Sequence, residues 1–286
     1  MRSPRTIPRL DAVFDAADAF LLDQFGTLHD GVALYPGTAQ AIARAKAAGK
    51  RIIILSNSGK RSQPNVARLA RLGLGPDCYD SFLTSGEVVW RLLAARASPA
   101  LATARRCLVL SRGADAEATA GLTLEQTDDA QQADLILLLG SEADRIGLGA
   151  YRKRLASAAR RGVPCLCGNP DWLMVLNDGA LAPAAGQIAH LYAELGGPVL
   201  WIGKPHAAIY EAAFTELATM AGMELDRDRV WAVGDSLEHD VAGAAAQGCR
   251  SVLVSTGILA GSQQDAIWQE MAARDVWPDA ILPSLA

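Results

Sequence analysis

Four short segments of the 286-residue chain carry side chains that could do chemistry together. Asp23-Gln24-Phe25-Gly26-Thr27-Leu28 offers a carboxylate, then a glycine that lets the backbone turn. Ser56-Asn57-Ser58-Gly59-Lys60 offers small hydroxyl and amide groups suited to holding an anion. Lys204-Pro205-His206 supplies a fixed cation at the start of a helical stretch, where the helix dipole also favours anions. Asp235-Ser236-Leu237-Glu238-His239-Asp240 adds two further carboxylates. Three carboxylates, one lysine and several neutral donors suit Mg²⁺, a hard cation preferring oxygen ligands, beside a phosphate dianion. Taken singly, each segment is ordinary, because Asp caps helices and S-N-S-G is a common turn. Their recurrence after four apolar runs is what carries weight.

Those runs are AFLLD (19–23), RIIIL (51–55), PVLWIG (198–203) and RVWAVGD (229–235), which read as buried parallel strands. SFLTS (81–85), RCLVL (106–110), ADLILLLG (133–140), GVPCLCG (162–168) and RSVLVS (250–255) read the same way. Stretches with helical spacing lie between them, among them the one after Pro36 and those in KPHAAIYEAAFTELATMAG and LEHDVAGAAAQG. The alternation predicts an α/β fold with a doubly wound, Rossmann-like parallel sheet. In such sheets ligands bind at the carboxyl ends of the strands, which brings the four segments to one crevice. Nine strands are many for one sheet, and the polar chemistry clusters before residue 85 and after 198. We therefore expect a discontinuous core of residues 1–85 and 197–286, with an inserted α/β unit at 86–196. The insertion's most unusual segment is Gly168-Asn169-Pro170-Asp171-Trp172.

Composition narrows the class. Half of the residues are hydrophobic, which excludes a disordered chain. The net charge of −4 argues against nucleic acid or a polybasic membrane contact as partner. No apolar run reaches the ~18–20 residues of a membrane span, and Asp11, Asp15 and Asp18 interrupt the start where a signal peptide needs apolar residues. A cytoplasmic location is the expectation. Five scattered cysteines fit reduced, buried thiols.

The four segments together resemble the motifs of the haloacid dehalogenase superfamily. Asp23-Gln24-Phe25-Gly26-Thr27 approaches its nucleophile motif D-x-D-G-T. Ser56 and Asn57, then Lys204, then Gly234 to Asp240 stand where its second, third and fourth motifs do. LHDG (28–31), YPG (35–37), ILSNS (54–58), GNPD (168–171) and GKPHAAIYEAAF (203–214) are similar to the class IIA, NagD-like branch, whose cap is inserted between the second and third motifs. The resemblance implies a Mg²⁺-dependent phosphatase acting on a small phosphorylated metabolite. Asp23 would be the nucleophile, forming an aspartyl-phosphate, and Lys204 would orient it. Asp23, the backbone carbonyl of Phe25 and Asp235 would hold Mg²⁺, with Asp240 as a further ligand or supporting partner. Ser56 and Asn57 would hydrogen-bond the phosphoryl oxygens, and Asn169 and Asp171 of the cap would contact the substrate. Many class IIA relatives dimerise through the cap, so a homodimer is implied as well.

Phe25 departs from the pattern. Superfamily phosphatases place a second Asp there, as general acid and then base, and losing such a group removes about 10²–10⁴-fold in rate. His29, Asp30 or Asp171 could take over the proton transfer. Otherwise the protein is a slow phosphatase for good leaving groups, or a non-catalytic phosphometabolite-binding protein. A dehalogenase would fit Phe25, but dehalogenases need no metal, and Asp235 and Asp240 keep the metal site. Phosphonate hydrolysis would need a cap lysine, and Lys153 lies in a helical charge run. Lys60 and His206 read as a surface charge and a helix-start hydrogen bonder.

Overall fold

The computed structural model describes residues 4–176 and 179–285. Within these the chain forms two compact units. One takes in the chain up to Ser56, Gln63–Leu83 and the chain from Lys204 onward; the other takes in Asn57–Ser62 and Thr84–Gly203.

The first unit is built on a seven-stranded sheet. Its order is Arg5–Thr6, Ala280–Leu282, Arg250–Val254, Val230–Gly234, Ala19–Leu22, Arg51–Ser56 and Ser81–Thr84. Ala19–Leu22 lies between Val230–Gly234 and Arg51–Ser56, parallel to both, with Leu22 opposite Val233 and Ile54. All four of its residues are buried, as expected for an inner strand covered on both faces. Alternate residues share one face: Phe20, Leu22, Ile52, Ile54, Trp231, Val233, Val252 and Val254 join one apolar cluster. Leu253 points the other way, into a second cluster with Leu237, Val241 and Met271. The flanking helices are amphipathic on this account, and Thr38–Ala47 buries Ala41, Ile42 and Ala45 against the sheet's first face.

The second unit has its own five-stranded parallel sheet, in the order Val199–Trp201, Cys165–Cys167, Leu135–Leu138, Arg106–Leu110 and Glu125–Gln126. Its core joins Leu108, Ile136, Leu138, Cys165 and Cys167 to Tyr151, Leu155, Ile188 and Tyr192 of the covering helices. Cys165 and Cys167 thus face one side, and all five cysteines are free thiols.

Two expected boundaries are corrected. The core half is expected to begin at residue 197, with the run before Lys204, but Val199–Trp201 pairs residue for residue with Cys165–Cys167. The chain leaves the second unit only at Gly203–Lys204. Asn57–Ser62 also belongs to the second unit, because backbone packs against it too closely for side chains. A Cβ on Gly59 would come within 1.9 Å of the Leu139 carbonyl oxygen. Thr84 Oγ1 donates to the Lys60 carbonyl at 2.7 Å, and Arg61 pairs with Glu87.

The nine expected strands all form. Missed were Arg5–Thr6, Ala280–Leu282 and Glu125–Gln126, and the antiparallel hairpin Leu173–Val175 with Leu181–Pro183. These are two or three residues long and too short to show a period. Among the described residues, no helix is long and apolar enough to cross a membrane.

Candidate functional site

Adjacent parallel strands set the site. Asp23 follows Ala19–Leu22, and its amide donates to the Val233 carbonyl at 2.9 Å, so the chain stays paired through this residue. Asp235 follows Val230–Gly234 on the neighbouring strand. Beyond it Ser236 caps the turn Leu237–Ala242 by accepting the His239 amide, and that turn carries Asp240 back toward the strand end. Asp240 Oδ2 accepts the Ser236 amide at 3.1 Å. One oxygen from each of Asp23, Asp235 and Asp240 lies within 4.8 Å of the other two.

Lys204 joins this cluster from the far end of the sequence. Its Nζ donates to Asp23 Oδ1 at 2.7 Å and to Asp240 Oδ1 at 2.6 Å. Burial opposes the charge on this lysine, but the two carboxylates outweigh it and hold the ammonium well above its ordinary range. Burial pushes Asp23 up to about 6 against the pull of Lys204. Asp235 is pushed up to about 8, by burial first and then by repulsion from Asp23 and Asp240. Three carboxylates facing one ammonium leave two negative charges to be balanced in a buried place. That excess, an all-oxygen donor set and the raised Asp235 fit a hard divalent cation.

Glycines make the room. Gly26 adopts φ +86°, and a Cβ there would come within 2.1 Å of Asp235 Oδ2. A Cβ on Gly234 would come within 2.0 Å of the Asp240 carboxyl carbon. A further contribution, not expected from the sequence, comes from beyond Arg250–Val254, where Gly257 leaves the same space and the Ile258 amide donates to Asp235 Oδ2 at 2.7 Å. Thr256 Oγ1 donates to the Gly26 carbonyl at 2.6 Å and ties the two loops together. The signal was present as Thr256-Gly257 following the run RSVLVS, a fifth strand end of the same kind as the other four.

Ser56 lies in the first unit, where Gln24 Nε2 donates to its Oγ at 2.6 Å and also reaches Asn65 Oδ1 at 3.3 Å. Gln24 too has a role here that its sequence position does not signal. Asn57, paired in expectation with Ser56, belongs instead to the second unit, and its Nδ2 donates to Asp171 Oδ1 at 2.8 Å. Asn169 Oδ1 accepts the Asp171 amide at 3.0 Å and closes the turn around Pro170. The structure therefore brings Asp23, Lys204, Asp235 and Asp240 together in one unit, and Asn57, Asn169 and Asp171 together in the other.

Phe25 is 52% exposed, with its ring edge-on to His29 at 5.7 Å between centroids. The substitutes considered for its missing acid fare poorly in the first unit. His29 is fully buried; its Nδ1 accepts the Gly31 amide at 2.9 Å, and burial lowers its pKa. Asp30 Oδ1 accepts the amides of Ala33 and Val32, each at 2.8 Å, and these bonds hold the carboxyl below its usual range. A buried neutral imidazole and a stabilised carboxylate are both poor proton donors. Lys60 pairs with Asp115 at 2.9 Å in the second unit, so it serves packing there. Tyr151, two residues before Lys153, is buried, with its hydroxyl accepting the Glu142 amide at 3.0 Å. His206 precedes the helix Ala207–Ala221 as its first flanking residue, and its side chain does not cap it.

Comparison with known proteins agrees with this geometry. The profile of a family described as haloacid dehalogenase-like hydrolase matches residues 20–125, and one described as HAD-hydrolase-like matches residues 201–286. Mouse chronophin is 28% identical over 96% of this chain and 92% of its own. The sugar-phosphatase AraL of Bacillus subtilis is 28% identical over 93% of this chain and 89% of its own. The crystal structure of a haloacid dehalogenase-like hydrolase from Brucella suis superposes with a TM-score of 0.81 at 30% identity. That match covers 98% of this chain and 100% of the other.

Proposed function

The chain belongs to the haloacid dehalogenase-like hydrolase family, and on that premise we propose that it is a Mg²⁺-dependent phosphatase acting on small phosphate monoesters through an aspartyl-phosphate. The observation that carries this reading is the Lys204 ammonium shared between Asp23 and Asp240, with Asp235 completing the cluster.

Asp23 is the nucleophile. Held by Lys204 at 2.7 Å, its carboxylate keeps one orientation and does not need to be reorganised before attack on phosphorus. Attack forms the aspartyl-phosphate and splits one difficult displacement into two easier ones. Lys204 also offsets charge on the phosphoryl oxygens, and the hydroxyl of Ser56 donates to one of them while Gln24 fixes its position. Asp23, Asp235 and the backbone carbonyl of Phe25, with Asp240 in support, would hold Mg²⁺, which when bound would supply the positive charge that lets a carboxylate meet a phosphate dianion. The second unit corresponds to the family's cap, with Asn57, Asn169 and Asp171 as its candidates for contact with the substrate. A sugar-phosphatase among the relatives supports a phosphorylated metabolite as substrate class.

A second reading, a protein that binds phosphometabolites without turning them over, is favoured by Phe25 alone. Retention of Asp23, Lys204 and Asp235 speaks against it, since binding needs no nucleophile. The deciding experiment is hydrolysis of p-nitrophenyl phosphate with Mg²⁺ by wild type and D23N, with borohydride trapping of the phosphorylated aspartate. Turnover that D23N abolishes, with label trapped on Asp23, supports the phosphatase. Stabilisation by Mg²⁺ and phosphate without turnover supports the binder. Halide release from a haloacid in chelator would overturn both.

A further inference from the structure

We propose that this site is specialised for phosphate groups whose leaving oxygen departs as a stable anion, as in acyl and aryl phosphates, and that it is a poor catalyst for alkyl phosphates. The proposal rests on the phosphatase reading above and narrows its substrate class.

The geometry around Asp23 points to it. Between Gln24 and Asp30 every polar side chain is either buried or committed to backbone. Gln24 is 6% exposed and bonded to Ser56, Thr27 is 1% exposed, and His29 is fully buried. The only imidazole of the segment spends Nδ1 on the Gly31 amide, and its Nε2 lies buried. Asp30 is exposed, but one carboxylate oxygen accepts two amides of its own turn. The exposed side chain two residues beyond the nucleophile is the phenyl ring of Phe25, which has no proton to give. Its ring rests on Gly31, where a Cβ would come within 3.0 Å, so the loop is shaped around the aromatic group.

The chemistry follows from leaving-group basicity. In the first step the Asp23 carboxylate forms a bond to phosphorus, and the bond from phosphorus to the leaving oxygen breaks with its electron pair. An alkoxide is about as basic as hydroxide, whose conjugate acid has a pKa of about 15.7, so it must be protonated as it leaves. A phenolate, of pKa about 10, needs this less, and a carboxylate, of pKa about 4, does not need it at all. In the second step water attacks the aspartyl-phosphate, Asp23 leaves as a carboxylate, and both protons of the water end on the orthophosphate. No side-chain acid or base is consumed in the balance.

The test measures kcat/KM with Mg²⁺ for acetyl phosphate, phenyl phosphate and glycerol 3-phosphate, in wild type, F25D and F25N. Wild type is expected to favour acetyl phosphate over glycerol 3-phosphate by at least ~10³-fold, with phenyl phosphate between them. F25D should raise glycerol 3-phosphate turnover by roughly 10²-fold or more, within the usual contribution of a general acid. F25N, which removes the ring without supplying a proton, should fall at least ~10-fold short of the F25D gain. Wild-type values for acetyl phosphate and glycerol 3-phosphate within about tenfold of each other would overturn the proposal, since a donor from elsewhere would then be at work. Rescue by F25N as large as by F25D would overturn it too, because the ring's bulk would then be the obstacle. Should F25D fail to fold, the wild-type ratio decides. Phosphate release from none of the three, in wild type or variants, would instead sink the phosphatase reading itself.

Discussion

The ammonium of Lys204 lies 2.7 Å from Oδ1 of Asp23, although 181 residues separate the two in sequence. Both groups are almost wholly buried, with 4% and 13% of their side chains exposed. A buried pair of this kind is a weak source of net stability, but removing one partner strands the other charge. Here the lysine also touches Asp240, so its loss would strand two carboxylates.

Lys204→Met therefore should destabilise the protein by about 3–5 kcal/mol, the range seen when one member of a buried ion pair is lost. Turnover should fall below detection as the nucleophile loses its orientation. Urea denaturation and the p-nitrophenyl phosphate assay check the two effects separately. Unchanged stability would show that the pair is not buried in solution as it is here.

Asp235 and Asp23 give the protein a pH dependence of definite sign. Their folded pKa values, about 8 and about 6, lie above the ordinary carboxylate value of 3.8. The folded state then binds more protons than the unfolded state between roughly pH 4 and 8, so stability in chelator should fall as pH rises through that window. A divalent cation competes with those protons. The rise in melting temperature on adding Mg²⁺ should therefore grow from pH 5.5 to 8.5, read by scanning calorimetry. A Mg²⁺ shift independent of pH would contradict the placement of the three carboxylates.

Gly26→Ala meets two obstacles at once, a positive φ and an Asp235 oxygen 2.1 Å from the new carbon. Backbone strain of this kind costs about 1–3 kcal/mol, and the displaced carboxylate should cut turnover further. Gly49→Ala is the control, because it has a comparable φ of +74° but nothing within 4 Å of a new Cβ. If both variants lose activity alike, strain and not the displacement of Asp235 is the cause.

Asn57→Asp sets a carboxylate against Asp171 Oδ1 where an amide now donates at 2.8 Å. Like charges at that distance repel, so the variant should be less stable than wild type at pH 7. It should recover as pH falls to about 4, where the introduced carboxylate becomes largely neutral. Thermal melts at pH 4 and pH 7 read this directly, and equal losses at both would mean that the hydrogen bond has no electrostatic role.

Much of this protein was legible in its sequence because local patterns determine local structure. Nine strands could be read from apolar runs, most of them inner parallel strands that are buried on both faces and tolerate few polar residues. Asp23, Lys204, Asp235 and Asp240 could be singled out because each follows such a run, and strand ends are where an open α/β sheet places ligands. Short edge strands such as Arg5–Thr6 escaped, because two residues carry no period and only pairing with Ala280–Leu282 defines them.

What the tertiary structure decided are matters of partnership. A strand's residues state that it is buried, not against which neighbour, so Val199–Trp201 could be placed with Cys165–Cys167 only from the register of their hydrogen bonds. Asn57 and Ser56 are adjacent in sequence, yet one bonds to Asp171 and the other to Gln24. The space that Gly257 leaves for Asp235, and the amide that Ile258 gives it, join residues more than twenty positions apart. His29 and Asp30 have side chains able to carry protons, but the burial of His29 and the amides that Asp30 accepts make each a poor proton donor. Side-chain type is written in the chain one residue at a time, whereas burial, charge balance and hydrogen bonding depend on which distant segments the fold brings into contact.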